Sequence, residues 1–190
     1  MLHKFAGWVF TVLGWKITGQ DITKLPKSIL AVAPHASWYD VLLGITAIPH
    51  IPIKINFLGK AELFKGIWAG FFYKVGCLPV DRSKSNNLVE SVKKLIDSHE
   101  KIHIAISPEG TRKNVQALKS GFYYIALTAG VPIILVAFDY PNKEIRFGNP
   151  FWPSGNFEED KVLIAKFFKE VPGVQKDWIN NYLEAELIQK

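Results

Sequence analysis

An α/β fold is what the sequence predicts: a central mixed sheet flanked by helices, preceded by a short apolar N-terminal helix. Three observations carry this. Short apolar runs alternate with helix-period segments along most of the chain, the pattern of strands alternating with helices. "VPIILVAF", Val131 to Phe138, is a continuous apolar run of the kind a strand buried on both faces shows. At 190 residues and 48% hydrophobic content, the chain can bury one substantial core.

Each element has its own signal. Phe5 to Leu13 reads as an apolar helix, and Lys16 to Thr18 as a short strand. Ile29 to Ala33 is an apolar run ending at Pro34, which biases Ala33 towards extended backbone. Val41, Leu42, Leu43 and Ile45 place a helix over Trp38 to Ala47. Ile53 to Leu58 reads as a strand, Leu63 to Lys74 as an aromatic helix, and Leu78 to Asp81 as a short strand. Leu88, Val92, Leu95 and Ile96 recur at helical spacing within Leu88 to Glu100. Ile102 to Ile106 alternates as a strand does, with His103 out of phase and therefore expected at the surface. Phe122 to Ala129 reads as a helix, Pro132 to Phe138 as the buried strand and Lys143 to Phe147 as an alternating strand. Two helices, Glu158 to Lys169 and Gln175 to Leu187, are divided by Pro172–Gly173. Two parts are expected: residues 1–19, an apolar helix with its connection, and the domain proper, residues 20–190.

Composition narrows the function. The net charge is +6, and Lys54 to Lys113 holds 11 basic against 6 acidic residues, so most of the excess lies in one stretch. Concentrated positive charge favours an anionic partner. No nucleic-acid motif accompanies it, and a nucleic-acid partner is not expected. Cys77 is the only cysteine, which excludes an intrachain disulfide and a cysteine metal cluster. Histidine and carboxylate spacing gives no metal site either. "FAGWVFTVLGW", Phe5 to Trp15, spans 11 residues, whereas a membrane-crossing helix needs about 20. Trp8 and Trp15, seven apart, fall on one helical face, with Lys4 and Lys16 at the borders. A helix lying in a membrane interface fits, as does a helix packed on the protein's own core.

The stretch "AVAPHASWYDVLLG", Ala31 to Gly44, holds His35 and Asp40 where a strand hands over to a helix. On one continuous helix, positions five apart diverge by about 140°. The two side chains converge only if His35 precedes the helix and Asp40 sits in its first turn. Ser37 to Asp40 also forms a Ser-x-x-Asp capping box, which gives Asp40 a structural role but leaves His35 unexplained. A second stretch, "IHIAISPEGTRK", runs a strand into Pro108, Glu109, Gly110, Thr111 and Arg112. Gly110 lets a ligand approach the backbone, and Arg112 can grip a phosphate bidentately. A third, "GKAELFKGIWAGFFYKVGCLPVDRS", offers Lys60, Glu62 and Arg82, the last able to pair with Asp81.

In order, these stretches resemble the motifs of the glycerolipid acyltransferases, the family that includes 1-acylglycerol-3-phosphate acyltransferase. The resemblance covers Ala31 to Phe138: His-x4-Asp at His35 and Asp40, "GCLPVDRS" with Arg82, Pro-Glu-Gly-Thr-Arg at Pro108 to Arg112, and Val-Pro at Val131 and Pro132. Pro34 stands where the family commonly has Asn, and Ser107 where it commonly has Phe. The resemblance implies transfer of a fatty acyl group from a thioester, on coenzyme A or acyl carrier protein, to a lysophospholipid hydroxyl. The expected acceptor is 1-acylglycerol-3-phosphate and the product phosphatidic acid. His35 is then the general base and Asp40 its orienter. Arg82, Arg112 and Lys60 are expected to hold the acceptor phosphate, and Glu109, Gly110 and Thr111 to shape its site. The Leu63 to Tyr73 region would line an acyl tunnel, rest on lipid, or pack in the core. No bound cofactor is expected, and the place of work is the cytoplasmic face of a membrane, held peripherally or monotopically. Two other readings stand beside this one: an acyltransferase for a non-phosphorylated acceptor such as an acylated amino-acid lipid, and a non-catalytic lipid-binding protein.

Overall fold

The computed structural model describes residues 2–34, 38–67, 69–74, 76–80, 85–111, 113–172 and 174–188. Its strands are β1 (Lys16–Gly19), β2 (Lys27–Ala33), β3 (Ile55–Lys60), β4 (Cys77–Val80), β5 (Ile102–Ile106), β6 (Ile133–Asp139) and β7 (Glu144–Phe147). They form one mixed sheet in the order β1-β7-β6-β2-β5-β3-β4. β6 and β7 pair antiparallel, and every other neighbouring pair is parallel. The helices are α1 (Leu2–Val12), α2 (Trp38–Ala47), α3 (Ala69–Lys74), α4 (Ser85–Asp97), α5 (Gly121–Ala129), α6 (Phe157–Lys169) and α7 (Asp177–Ile188).

The central strand β2 shows why the sheet needs covering on both faces. Ile29, Ala31 and Ala33 point to one side, where α4, α5, α6 and α7 supply Val92, Ile96, Phe122, Ile125, Phe168 and Trp178. Leu30 points to the other, with Ile134, Val136, Phe138 and Ile145, under Phe10 of α1 and Leu43 and Ala47 of α2. Successive strand residues face opposite sides, so a central strand between two helical layers must be apolar at both.

Local chemistry sets the helix ends. Asn156 caps α6 by accepting from the Glu158 N–H at 3.2 Å, with Glu158, Glu159 and Asp160 in the first turn and Lys166 and Lys169 in the last. Gly130, at φ 64°, ends α5 with its N–H on the carbonyls of Ala126 and Leu127, which turns the chain into β6.

Four expectations change. The Leu63–Lys74 helix is broken into a 3₁₀ turn, Ala61–Phe64, and the short α3. Gly66 and Gly70 weaken a helix there, and Phe64 instead packs on Phe72 and Tyr73 at 5.7 and 4.9 Å. The strand expected from Ile53 begins at Ile55, where pairing with His103 starts, and runs on to Lys60. Trp15 does not share a helical face with Trp8. Gly14, at φ 78°, follows the end of α1, and Trp15 turns inward to sit 6.5 Å from Phe10 and 5.3 Å from Tyr140.

The fourth concerns His103, which is buried at 4% exposure. Its Nδ1 lies 2.8 Å from Ser28 Oγ on the neighbouring strand, and its carbonyl accepts from Asn56 Nδ2 at 3.3 Å. Polar side chains on β2 and β3 thus satisfy the His103 ring and its carbonyl, which alternation within a single strand cannot reveal. Burial lowers the imidazole's pKa below its ordinary 6.5. As pH falls through about 6.5, the unfolded chain takes up a proton that the folded chain refuses, so stability present above that pH is lost below it. Tm is expected to drop between about pH 7.5 and 5.5, and His103→Asn to flatten that drop. Equal slopes for the two proteins in thermal melts would remove His103 from the account.

Candidate active site

Parallel pairing puts the carboxyl ends of β2, β3, β4, β5 and β6 on one edge of the sheet, where ligands of open α/β sheets bind. β2 ends at Ala33, two residues before His35, and β4 ends at Val80, two before Arg82. β3 ends at Lys60, whose backbone pairs opposite Val80. β5 ends at Ile106, just ahead of the Pro108–Thr111 turn. His35, Arg82 and Arg112 themselves, the side chain of Lys60 and the Ser37 cap lie outside the described residues, as does the pairing of Asp81 with Arg82.

Asp40 is the anchor of this edge. It lies in the first turn of α2 and is 2% exposed. Asp40, Leu43 and Ala47 form the inward stripe of the helix, and the carboxylate is the polar member of that stripe. Tyr140, one residue past β6, donates its hydroxyl to Asp40 Oδ1. Burial, together with this bond to a carboxylate, pushes the phenol pKa well above its ordinary value, so the hydroxyl remains a donor.

A cavity of about 830 Å³ has Asp40 in its lining and reaches from α2 past the sheet to Leu88 of α4 and Phe122 and Ile125 of α5. Its walls are apolar: Val41 and Ile45 from α2, and Val32, Phe57, Ala105 and Val136 from the strands. Polar groups gather near the carboxyl edge, where Ser107, Gly110, Thr111 and Lys119 join Asp40 in the lining. Gly110 adopts φ +62°, a backbone conformation that favours glycine, and the end of the Lys119 side chain lies over it. Phe72 and the half-buried Cys77 also line the cavity, and burial raises the thiol pKa. Of the Leu63–Tyr73 region, Phe72 thus meets the cavity, while Ile67 is exposed.

Glu109 is not in the lining of that cavity. It is 1% exposed, accepts from Trp178 Nε1 at 3.2 Å and pairs with Lys176 Nζ at 3.3 Å. These contacts pin the Pro108–Thr111 turn to the start of α7. Sequence spacing misses Tyr140, Ser107 and Lys119. Tyr140 stands 100 positions from Asp40, and no local pattern connects them.

The fold matches the crystal structure of the 1-acyl-sn-glycerophosphate acyltransferase PlsC from Thermotoga maritima, with TM-score 0.53 and 20% identity, over 97% of this chain and 78% of that one. The Acyltransferase family profile matches residues 15–139, more than half of the chain, and the protein belongs to that family. It is an acyltransferase, similar to those that act on glycerolipids. The 1-acyl-sn-glycerol-3-phosphate acyltransferase of Bacillus subtilis is 29% identical over 150 residues, 74% of this chain and 73% of its own length. The lyso-ornithine lipid O-acyltransferase of Pseudomonas aeruginosa is 32% identical over 119 residues, 60% of this chain and 44% of its own.

Glu109→Ala would leave the Lys176 ammonium, itself 10% exposed, without its carboxylate. Removing one partner of a buried pair costs about 3–5 kcal/mol. Urea unfolding is expected to show a loss of that size for Glu109→Ala; a change within about 0.5 kcal/mol, usual for a surface site, would place the pair in solvent.

Proposed function

We propose that this acyltransferase moves a fatty acyl group from an acyl thioester to the hydroxyl of 1-acylglycerol-3-phosphate, giving phosphatidic acid. The observation that supports it most is the convergence at one sheet edge. A buried carboxylate at the start of α2, five positions after His35, lines an apolar cavity, and the segments carrying Arg82 and Arg112 leave the sheet on the same edge. The Bacillus relative's named activity agrees with this reading.

In this mechanism His35 takes the proton of the acceptor hydroxyl as it attacks the thioester carbonyl. Asp40 orients the imidazole and stabilises the imidazolium that forms. The acceptor attacks directly, so no acyl-enzyme is required. Collapse of the tetrahedral intermediate expels the thiolate, which takes the proton from His35. Arg82 and Arg112, with Lys60, hold the acceptor phosphate, and Gly110 and Thr111 shape its approach. The cavity beneath α2 takes the acyl chain, with about 0.8 kcal/mol gained per buried CH₂. Coenzyme A or acyl carrier protein serves as the thiol carrier.

The enzyme works at a membrane surface. Among the described residues no helix is long and apolar enough to cross a membrane. Phe5, Trp8 and Val12 recur along the outer face of α1 at about 60% exposure. On α2, against which α1 packs, Tyr39 and Leu42 are also exposed, at 61% and 46%. Aromatic and aliphatic side chains with basic flanks suit the headgroup boundary. The opposite face of α1 belongs to the core: Phe10 is 2% exposed, and Gly7 lets the helix close on Pro49 and His50. The two-sided helix supports peripheral attachment, and the cytoplasmic leaflet is the side we assign to it.

A second reading, with an acylated amino-acid lipid as acceptor, draws on the Pseudomonas relative. Turnover with both acceptors, read by thiol release and lipid mass spectrometry, separates the two. With the phosphorylated acceptor, Asp40→Asn is expected to cost about 10⁴-fold in kcat with the fold intact. Arg82→Ala and Arg112→Ala should each weaken use of that acceptor about 10- to 100-fold. Unaltered acceptor kinetics in both arginine variants would sink the phosphate clamp, and a selective effect with the amino-acid lipid would favour the second reading.

For membrane attachment, the triple variant Phe5→Ser, Trp8→Ser, Val12→Ser should keep the wild-type Tm and lose most co-sedimentation with anionic vesicles. In the wild type, high salt should weaken binding only in part, since screening shortens to about 3 Å at 1 M. Unchanged vesicle binding by the triple variant would move the attachment surface away from α1.

A further inference from the structure

The turn after β6 is built to hold one side chain in place. Asp139 is fully buried, and its carboxylate accepts from the Asn142 N–H at 3.1 Å and from Asn142 Nδ2 at 2.9 Å. Arg146 Nη2 reaches the same carboxylate at 3.5 Å. The Lys143 N–H closes the turn on the Tyr140 carbonyl at 3.3 Å. Between these fixed points stands Tyr140, its ring edge-on to Trp15 at 5.3 Å and 89°. Trp15 is tied back to α1 by its N–H on the Phe10 carbonyl at 3.1 Å. The ring, 44% exposed, rests on Trp15 on one side, and its hydroxyl is delivered to Asp40 Oδ1.

The geometry points to Tyr140 as a positioning residue for acyl transfer: its hydroxyl fixes one oxygen of Asp40 and thereby sets the orientation of the carboxylate. This rests on the proposed roles of His35 and Asp40 and adds a third member that the sequence motifs do not contain. A carboxylate that orients a base must itself be oriented, because its two oxygens exchange by rotation about a soft, roughly two-fold torsion. A charge-assisted bond from a phenol held by its neighbours removes that freedom before substrate arrives. Tyr140 touches no reacting atom, so its loss should appear in turnover rather than in binding.

The test is Tyr140→Phe, which deletes the hydroxyl and keeps the ring against Trp15. Steady-state kinetics with an acyl thioester and 1-acylglycerol-3-phosphate should show kcat reduced about 10- to 100-fold, the size of a lost hydrogen bond to a charged group. KM for both substrates should stay within about two-fold, as expected when only a transition-state interaction is removed. Combined with Asp40→Ala, Tyr140→Phe should lower the residual rate no further, because the two groups act as one unit. Undiminished kcat in Tyr140→Phe, or an equal fall in the Asp40→Ala background, would overturn the inference. A lower Tm with unaltered kcat per folded molecule would also overturn it and leave the bond as a structural tie between β6 and α2. Should Asp40→Ala alone retain full turnover, the base-and-orienter mechanism fails instead, whatever Tyr140→Phe does.

Discussion

Parallel pairing of β2, β3, β4, β5 and β6 forces their carboxyl ends onto one edge of the sheet, and the rest of the molecule is arranged around that edge. Parallel strands need helical crossovers, so each returns its chain to the far edge and sends the next strand back in the same direction. The consequence is chemical. Segments separated by tens of residues leave the sheet side by side, and short motifs that mean little in isolation become one site.

Asp40 carries the energetic tension of that edge. A carboxylate at 2% exposure is unfavourable unless hydrogen bonds replace its water. The Tyr140 hydroxyl meets part of this need, and the cavity beside it is otherwise apolar. An apolar wall with a few convergent polar groups is the usual character of a site for a long, mostly hydrocarbon ligand. The α2 helix serves both surfaces. Its inner stripe of Asp40, Leu43 and Ala47 faces the sheet, while Tyr39, Leu42 and Ile45 remain exposed. Few helices of a water-facing domain are apolar on both sides, and this one stands between the chain's own cavity and the face we assign to lipid.

The N-terminal segment is joined to the site in the same way. Phe10 packs beneath α1, Trp15 follows it inward, and the Trp15 ring meets Tyr140, whose hydroxyl reaches Asp40. β1 continues from that segment into the sheet, pairing with β7 from Lys16–Glu144 to Gly19–Phe147. Aromatic contacts thus run unbroken from a helix whose outer face is exposed to the carboxylate in the cavity lining. On the opposite face of the sheet, Glu109 holds the Pro108–Thr111 turn through Trp178 and Lys176. That leaves Gly110 and Thr111 at the cavity.

By itself the sequence determined whatever depends on near neighbours along the chain. Periodicity gave the α/β class and most strands and helices, because alternation and 3.6-residue spacing are local consequences of backbone geometry. Four ordered motifs gave the family. Local reading faltered where a contact came from afar. His103 looked exposed because its partners Ser28 and Asn56 lie on other strands. The Leu63–Lys74 helix failed for a nearer reason: Gly66 and Gly70 weaken it, and Phe64 packs on Phe72 and Tyr73. Whether the N-terminal helix packs on the core or presents an apolar face outward was open in the sequence, and the two faces of α1 do one each. Only the tertiary structure decided that Asp40 is buried, that Tyr140 holds it and that an apolar cavity opens beside it. Those facts rest on contacts across 100 positions of chain, which no residue pattern encodes until the sheet has closed the distance.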